Sequence, residues 1–271
     1  MRILDNDDLV LPKGSLVLVT GASGFIASNL IVEGLETGYR IRGVAQPPSK
    51  VQKTHEIFNS PHYDAVIILE MEPEGALMNP NPEEAVPPVI KGATSILRSA
   101  LKEPKIQRFV FTSSSTATSL PTPGVRFKID NTTWNTEINK AVNMGRVIDS
   151  PGETGGLVIK AFKGDVQWIL LPQYRVNMVD CARLHLIALI VGSVNNEHIL
   201  AFDSPFNWNH VLDNFRELFP QRQFVENQEQ GADLAKLIIT LVRHYSASGM
   251  GKSATLDSKR ACDRMLRVYK N

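Results

Sequence analysis

The stretch LVLVTGASGFIASNL, residues 16–30, contains an apolar run, a glycine-rich turn and the start of an amphipathic segment. A short apolar run of this kind is typical of a buried parallel strand. Gly21 permits a tight turn, and Gly24 allows the backbone to approach a ligand closely. A helix that starts here points free N–H groups and its positive dipole end at a pyrophosphate. The stretch therefore predicts a dinucleotide-type fold.

Strands and helices alternate along the chain from this turn onward. The patterns predict strands at 16–20, 39–46, 63–71 and 108–113, and helices at 26–38, 51–58 and 89–103. Such alternation favours a parallel sheet with right-handed crossovers. About four core strands precede residue 115, whereas a full dinucleotide-binding sheet has about six. We therefore predict an α/β fold with a Rossmann-like, doubly wound parallel sheet of reduced strand count.

The second half of the chain is richer in helices than in strands. Its patterns predict an extended segment followed by a helix at 174–192, and further helices at 206–220 and 231–242. We predict two domains on this basis. Residues 1–145 form the dinucleotide-binding core, and residues 146–271 form a smaller, mainly helical substrate lobe packed on that core.

The composition narrows the class of protein. A formal net charge of +1 argues against nucleic acid or a membrane surface as partners, because proteins that bind them carry basic clusters. The apolar runs are too short to span a bilayer, and the N-terminal residues lack the order of a signal peptide. Cys181 and Cys262 predict no disulfide framework, and the six histidines lack metal-ligand spacing. We expect a cytoplasmic protein that acts on a small molecule.

A second stretch, FVFTSSSTAT, residues 109–118, ends an apolar run in three consecutive serines. Such a run delivers hydroxyls to the carboxyl edge of a parallel sheet, where α/β enzymes place their chemistry. A serine hydroxyl alone is a poor acid, base or nucleophile and needs an activating partner. The candidates for a catalytic hydroxyl are therefore Ser113, Ser114 and Ser115.

The stretches that carry these features resemble the extended short-chain dehydrogenase/reductase superfamily. The resemblance covers VLVTGASGFIASNLIVEGLETGYRIRGVAQPPSK and NPNPEEAVPPVIKGATSILRSALKEPKIQRFVFTSSS, and it continues in YRVNMVDCARLHLIAL and FNWNHVLDNFRELFP. The nearest branch is the fungal NADPH-dependent aldehyde and ketone reductases, which are related to plant dihydroflavonol reductase. The resemblance implies NADP or NAD as the cofactor and no metal.

The same resemblance implies functional residues. Those lining the pyrophosphate would be Gly21, Ser23, Gly24, Phe25 and Ile26. Ser114 would occupy the catalytic serine position, with Ser113 as the alternative register. The NADPH-binding relatives place an arginine against the 2′-phosphate at the end of the second strand, where this chain has the neutral amide of Gln46. Arg42 and Lys50 are nearby in sequence and could partly compensate, so we expect a weakened cofactor site.

One part of the family's catalytic machinery is absent from the sequence. In the family, the serine works with a tyrosine four residues before a lysine, and the tyrosine exchanges the proton that accompanies hydride transfer. The tyrosines here are Tyr39, Tyr63, Tyr174, Tyr245 and Tyr269, and none is followed four residues later by lysine. TTWNTEINKAVN resembles family sequence before the catalytic helix, and MGRVIDSPGETGG resembles sequence after it. We therefore expect a deletion near residues 143–145, and a second one after YDAVIILEMEPEGAL.

Two further residues are candidates for chemistry. Tyr174 matches a segment that lines the substrate side in the relatives, so it is the candidate for a surviving acid near Ser114. The alternative role for Tyr174 is packing. His185 lies on one face of the predicted helix DCARLHL, and we favour a structural role for it over a catalytic one.

Three functions remain open from the sequence. The favoured one is a non-redox step, such as a cyclisation, isomerisation, dehydration or C–C cleavage, with Ser114 and neighbouring hydroxyls donating to a developing oxyanion. Fungal natural-product pathways are the setting that the resemblance suggests. The alternatives are an NAD(P)H-dependent carbonyl reductase with a substitute proton donor and a non-catalytic binding or partner subunit. Deleted core elements expose apolar faces, so we also expect a homodimer.

Overall fold

The computed structural model describes residues 9–46, 48–68, 82–119, 124–136, 161–164, 173–202, 204–227 and 236–237. The helices within them are α1 (Phe25–Thr37), α2 (Pro48–Phe58), α3 (Pro82–Lys102), α4 (Met178–Ile190) and α5 (Trp208–Leu218). The strands are β1 (Leu16–Thr20), β2 (Arg40–Ala45), β3 (Tyr63–Ile67), β4 (Lys128–Ile129), β5 (Gln173–Arg175), β6 (Ser204–Phe206) and β7 (Lys236–Leu237).

The first three strands form a parallel sheet in the order β1-β2-β3. Val19 pairs with Gly43, and Val44 pairs with Val66. Helices α1 and α2 connect consecutive parallel strands, which is the Rossmann-like α/β arrangement predicted from the sequence. The prediction that β1 is a buried strand holds for one face only, because its side chains alternate between buried and exposed. Val17 is buried, whereas Leu18 on the other face is 57% exposed.

Helix α1 follows the glycine-rich turn and ends where the sequence predicts. Leu30 and Ile31 of this helix are buried. Gly38 adopts φ = 96°, in the left-handed region, and its N–H group bonds to the carbonyls of Gly34 and Leu35. A residue with a side chain would be strained in that conformation, so Gly38 is a helix stop for a physical reason.

Helix α4 packs against α1. Arg183 on α4 donates through Nε to Glu33 on α1 at 3.0 Å. At the far end of α4, the N–H group of Val10 bonds to the carbonyl oxygen of Ile190 at 2.9 Å. The extended segment and helix predicted at 174–192 are therefore confirmed in β5 and α4, and α4 is apolar because it is buried against α1.

The described residues fall into two compact units. The first contains those up to residue 68 together with 83–112 and 177–199, and the second contains the rest. This division differs from the one predicted at residue 145, because α4 packs on α1 and so lies in the first unit. A separate substrate lobe over 146–271 stays a prediction.

The described residues of the second unit include two small apolar clusters. One centres on α5, where Trp208, Leu212 and Phe215 are buried together with Ala161. The other contains Ile129, Leu200 and Phe202. Asn207 caps α5 by accepting a hydrogen bond from the N–H group of His210, and this confirms the helix predicted at 206–220.

Two predicted elements differ from the structure. Residues 106–114 form no strand, and none of the described backbone hydrogen bonds joins them to β1. Inside the helix predicted at 231–242, residues Lys236–Leu237 instead pair in parallel with Lys128–Ile129. In both places the presence or absence of a strand partner, which local sequence patterns do not encode, separates the structure from the prediction. None of the described helices is both long and apolar enough to cross a membrane.

Candidate functional site

The glycine-rich turn has the geometry of an anion-binding loop. Gly21 adopts φ = 66°, and nothing lies within 4 Å of the position that a Cβ atom would occupy there. The N–H group of Gly24 donates to the carbonyl oxygen of Gly21 at 2.8 Å, which closes the turn. Ser23, Gly24 and Phe25 are exposed, so the outer side of the turn is open to a ligand.

The N-terminus of α1 is free of features that would compete with an anion. Gly24 is the N-cap residue and makes no side-chain cap hydrogen bond, and the first turn of the helix carries no acidic residue. The first N–H groups of a helix have no intrahelical partner, and the dipole is positive there. This arrangement is compatible with a dinucleotide pyrophosphate. The binding role of the predicted residues stays a prediction; they are Gly21, Ser23, Gly24, Phe25 and Ile26.

The turn rests on a tightly packed layer of the sheet. The N–H group of Ala22 donates to the carbonyl oxygen of Val44 at 2.9 Å, and Ala22 is fully buried. A Cβ atom on Gly43 would lie 2.9 Å from the Ala22 Cβ atom and 3.1 Å from Cζ of Tyr63. Gly43 therefore makes room for the Tyr63 ring beneath the turn. Sequence reasoning missed this role, because a glycine within a strand does not reveal which ring crosses it.

The two basic candidates for the cofactor site have different surroundings. Arg42 lies in the middle of β2 and binds Asp64 of β3 through two nitrogens, with Nη2 to Oδ2 at 2.7 Å. The hydrogen bond from Arg42, aided by its charge, holds the pKa of Asp64 below its usual value. Lys50 is exposed in the first turn of α2. Asp64 was not predicted from the sequence, because strand register sets its place opposite Arg42.

The serine run ends in a short turn. Ser114 is the N-cap residue of a 3-10 turn at Ser115–Ala117, and its hydroxyl accepts from the N–H group of Thr116. Its Oγ atom also lies 2.9 Å from Oγ1 of Thr116. Asn135 secures the turn, because its side-chain amide donates to the carbonyl oxygen of Thr116 at 2.8 Å. Ser113 and Ser114 are exposed, so the hydroxyls that the sequence singled out are accessible.

The residue before the serines has a partner that the sequence did not predict. The hydroxyl of Thr112 lies 2.9 Å from Nε2 of His185 on α4. On its other side, Nδ1 of His185 lies 2.7 Å from the carbonyl oxygen of Cys181. His185 thus has a structural hydrogen bond, as predicted, and also a contact with an exposed hydroxyl.

Tyr174 packs in the second unit. Its ring meets that of Phe202 edge to face, with centroids 5.5 Å apart, beside the cluster that contains Ile129. This is the packing role weighed as the alternative for Tyr174, and a role as proton donor stays a prediction. No group of three potential metal ligands occurs among the residues that the structure describes.

Comparisons with known proteins identify the domain. Residues 17–139 match the NAD dependent epimerase/dehydratase family. Aldehyde reductase 2 of Sporidiobolus salmonicolor is 29% identical over 85% of this chain and 89% of the relative. Ketoreductase adrE of Penicillium rubens is 25% identical over 78% of this chain and 82% of the relative. The first alignment spans 305 residues, more than the 271 of this chain, so the relative has residues without a counterpart here.

The fold comparison agrees with the sequence comparison. Yeast methylglyoxal/isovaleraldehyde reductase, solved with NADPH, superimposes with a TM-score of 0.68 at 18% identity, over 94% of this chain and 99% of that one. At that identity the likeness shows the fold alone. Taken together, these comparisons show an NAD dependent epimerase/dehydratase domain at residues 17–139, and the fold agrees with the extended short-chain dehydrogenase/reductase superfamily that the sequence resembles.

Proposed function

We propose that this protein binds NADPH or NADH at the glycine-rich turn and reduces a small aldehyde or ketone. The observation that supports this most is the open turn of Gly21 and Gly24 at the uncapped start of α1. The curated relatives include an aldehyde reductase and a ketoreductase. The bound cofactor would supply the hydride. The chain itself must bind the carbonyl, exclude water and provide the proton.

The cofactor site is proposed to be weaker than that of an NADPH-dependent reductase. Gln46 follows β2 and offers no positive charge to a 2′-phosphate. Arg42 is already bound to Asp64, so its guanidinium is partly neutralised. Lys50, exposed at the start of α2, is the remaining candidate for this contact. We therefore expect little preference for NADPH over NADH.

A binding titration tests this proposal. Calorimetry or cofactor fluorescence should show binding of NADPH and NADH. Gly21→Ala should weaken this binding by about tenfold, because a residue with a Cβ atom costs about 1–2 kcal/mol in the left-handed conformation of this turn. Gly14→Ala is the matched control, since Gly14 has φ = 84° and open space around it but lies outside the turn. Absence of binding at millimolar cofactor would refute the proposal.

A second candidate function is a non-redox step on the same scaffold. The observation that favours it is the absence of any tyrosine four residues before a lysine in the sequence. The accessible hydroxyls of Ser113 and Ser114 would donate to a developing oxyanion in a cyclisation, isomerisation, dehydration or C–C cleavage. Turnover of a substrate without consumption of NADPH or NADH, lost in Ser114→Ala, would support this candidate against the first. A non-catalytic binding or partner role is what remains if neither cofactor nor substrate binds.

We also propose that the chain forms a homodimer. Several large apolar side chains of the first unit are exposed, among them Leu18 at 57%, Phe111 at 58% and Leu101 at 78%. Exposed apolar surface of this kind is typical of a contact with another chain. Light scattering should give twice the monomer mass, and a monomer that binds no apolar dye would contradict this proposal.

A further inference from the structure

The contact between Thr112 and His185 fixes the protonation pattern of the imidazole ring. Nδ1 lies 2.7 Å from the carbonyl oxygen of Cys181, and a carbonyl oxygen only accepts. Nδ1 must therefore carry a hydrogen. In the neutral ring Nε2 is then the bare nitrogen, and it accepts the hydroxyl hydrogen of Thr112 at 2.9 Å. The arrangement is a hydroxyl, an imidazole and an orienting carbonyl in series.

The direction of the hydrogen bond between these two side chains changes when the ring gains a proton. In the imidazolium form, Nε2–H donates to Oγ1 of Thr112, and the Thr112 hydroxyl hydrogen is free to point outward. Thr112 is exposed, so this hydrogen is available to a ligand, whereas His185 is half-buried. An exposed hydroxyl that accepts a hydrogen bond from an imidazolium is a proton donor of the kind that carbonyl reduction requires.

The segment that carries Thr112 is held to α4 by side chains. The guanidinium of Arg108 donates to the carbonyls of Val194, Val191 and Gly192, which follow α4. Thr112, four residues after Arg108, makes the second attachment through its contact with His185 on α4. Because residues 106–114 have no ladder pairing among the described hydrogen bonds, these attachments set where the hydroxyl lies.

Charged groups near the pair lie on α1, on α4 and on the segment itself. The thiol of Cys181 lies 4.0 Å from Nδ1, and burial, with the charge of Asp180 in addition, raises the pKa of that thiol, so it stays neutral. Glu33 on α1 binds Arg183 on α4. The remaining charged groups on the elements that pack here are Glu36 on α1 and Arg108 on the segment.

We propose that Thr112 is a catalytic proton donor and that His185 is the positioning residue that returns a proton to its hydroxyl. The step is a proton relay with no change of oxidation state in the protein. The reduced carbonyl oxygen takes the Thr112 hydroxyl proton as Oγ1 takes the Nε2 proton of the imidazolium. The ring is left neutral with its hydrogen on Nδ1. This role rests on the proposed function as a reductase, and it supplies the proton that a tyrosine supplies in the family.

The first test needs no substrate. Nitrogen-15 NMR of the histidine rings, with His185 assigned from His185→Gln, reports which ring nitrogen carries hydrogen in the neutral form. The relay requires the Nδ1–H tautomer for His185, which is the less common form in free imidazole side chains. Thr112→Val should move the Nε2 resonance, whereas Thr94→Val should not, because the Thr94 hydroxyl bonds to its own helix at Ile90 and Lys91. An Nε2–H tautomer for His185 overturns the relay.

The second test uses methylglyoxal and isovaleraldehyde as probe carbonyls, with NADPH or NADH. Thr112→Val should lower kcat by about 100-fold, the lower end of what a general acid contributes, while Thr112→Ser should stay within a few-fold of the wild type. Wild-type kcat should fall as pH rises through the range where NMR shows His185 losing its second proton. His185→Gln should remove that dependence, and thermal melting should show the variants folded.

The outcomes separate this inference from the proposed function. If the wild type turns over neither carbonyl with either cofactor, the proposed function fails, and the role of Thr112 fails with it. If the wild type turns over and Thr112→Val matches it in kcat and pH profile, only the relay is wrong.

Discussion

Replacing Gly43 by alanine should disturb both the sheet and the turn above it. A Cβ atom on residue 43 would lie 2.9 Å from the Ala22 Cβ atom and 3.1 Å from Cζ of Tyr63. Carbon atoms in contact prefer a separation of about 3.5–4.0 Å, so the neighbours must move by about 0.5–1 Å. The atom nearest to that Cβ position is the Tyr63 hydroxyl oxygen, and the ring that carries this hydroxyl is restrained by packing against Phe58 and His55. Ala22 is tied to Val44 by a backbone hydrogen bond, and Tyr63 is buried.

The magnitude follows from two opposing terms. Overpacking a core costs about 1–3 kcal/mol. Replacing a strand glycine by alanine restores roughly 0.5–1 kcal/mol, because the unfolded chain loses entropy. The free energy of unfolding should therefore fall by about 1–2 kcal/mol in Gly43→Ala. Cofactor binding should weaken as well, since Ala22 is part of the glycine-rich turn.

Gly34→Ala is the matched control for this prediction. A Cβ atom on Gly34 meets Cδ1 of Ile41 at 2.8 Å, and that atom is the flexible end of a side chain. Alanine also favours the helix by about 1 kcal/mol over glycine. This gain should nearly cancel the cost of the close contact with Ile41, so the free energy of unfolding should change little in Gly34→Ala. Urea unfolding followed by circular dichroism, together with an NADPH titration, compares the variants. If Gly43→Ala is as stable as Gly34→Ala and binds cofactor equally, the packing of Tyr63 against Gly43 and Ala22 is not as described.

Two further predictions concern the first unit. Tyr39→Phe removes the hydroxyl that donates to the carbonyl oxygen of Leu11 at 3.0 Å, so unfolding free energy should fall by about 1–2 kcal/mol. Burial raises the pKa of Tyr39 in the folded protein. The stability that its neutral hydroxyl contributes is therefore present below the pKa of the unfolded chain, about 10, and is lost as pH rises through the folded pKa. Urea unfolding at about pH 8 and about pH 11 should show a smaller drop in the free energy of unfolding for Tyr39→Phe than for the wild type. Arg183→Ala leaves the buried carboxylate of Glu33 without its 3.0 Å partner and should lower the free energy of unfolding by about 1–3 kcal/mol. The double variant Arg183→Ala/Glu33→Gln should lose less than the sum of the two single variants, and losses that simply add would show that the pair contributes nothing.

Local chemistry made much of the first unit predictable. The glycine at position 38 ends α1 because only glycine adopts its backbone conformation without strain. The left-handed backbone of Gly21 and the hydrogen bond from Gly24 to Gly21 shape the turn through residues that are neighbours in the chain. Periodicity likewise located α4 and α5, because their apolar faces must be buried.

Contacts between distant residues were not predictable. The apolar run before the serines reads as a strand, yet it is attached through Arg108 and Thr112 to α4, about 80 residues away in sequence. Strand register places Asp64 opposite Arg42. Asp64 therefore binds the guanidinium that the sequence predicts for the cofactor site. No spacing in the sequence marks either pair.

The sequence by itself determined the Rossmann-like fold, the position of the glycine-rich turn and the lack of a tyrosine four residues before a lysine, since each depends on residues close together in the chain. Only the tertiary structure decided which hydroxyl forms a hydrogen bond with an imidazole. Thr112 and His185 meet because α4 packs on α1 and brings its His185 to a segment from another part of the chain. Such a meeting depends on how helices pack, and packing is a property of the whole fold rather than of any short stretch.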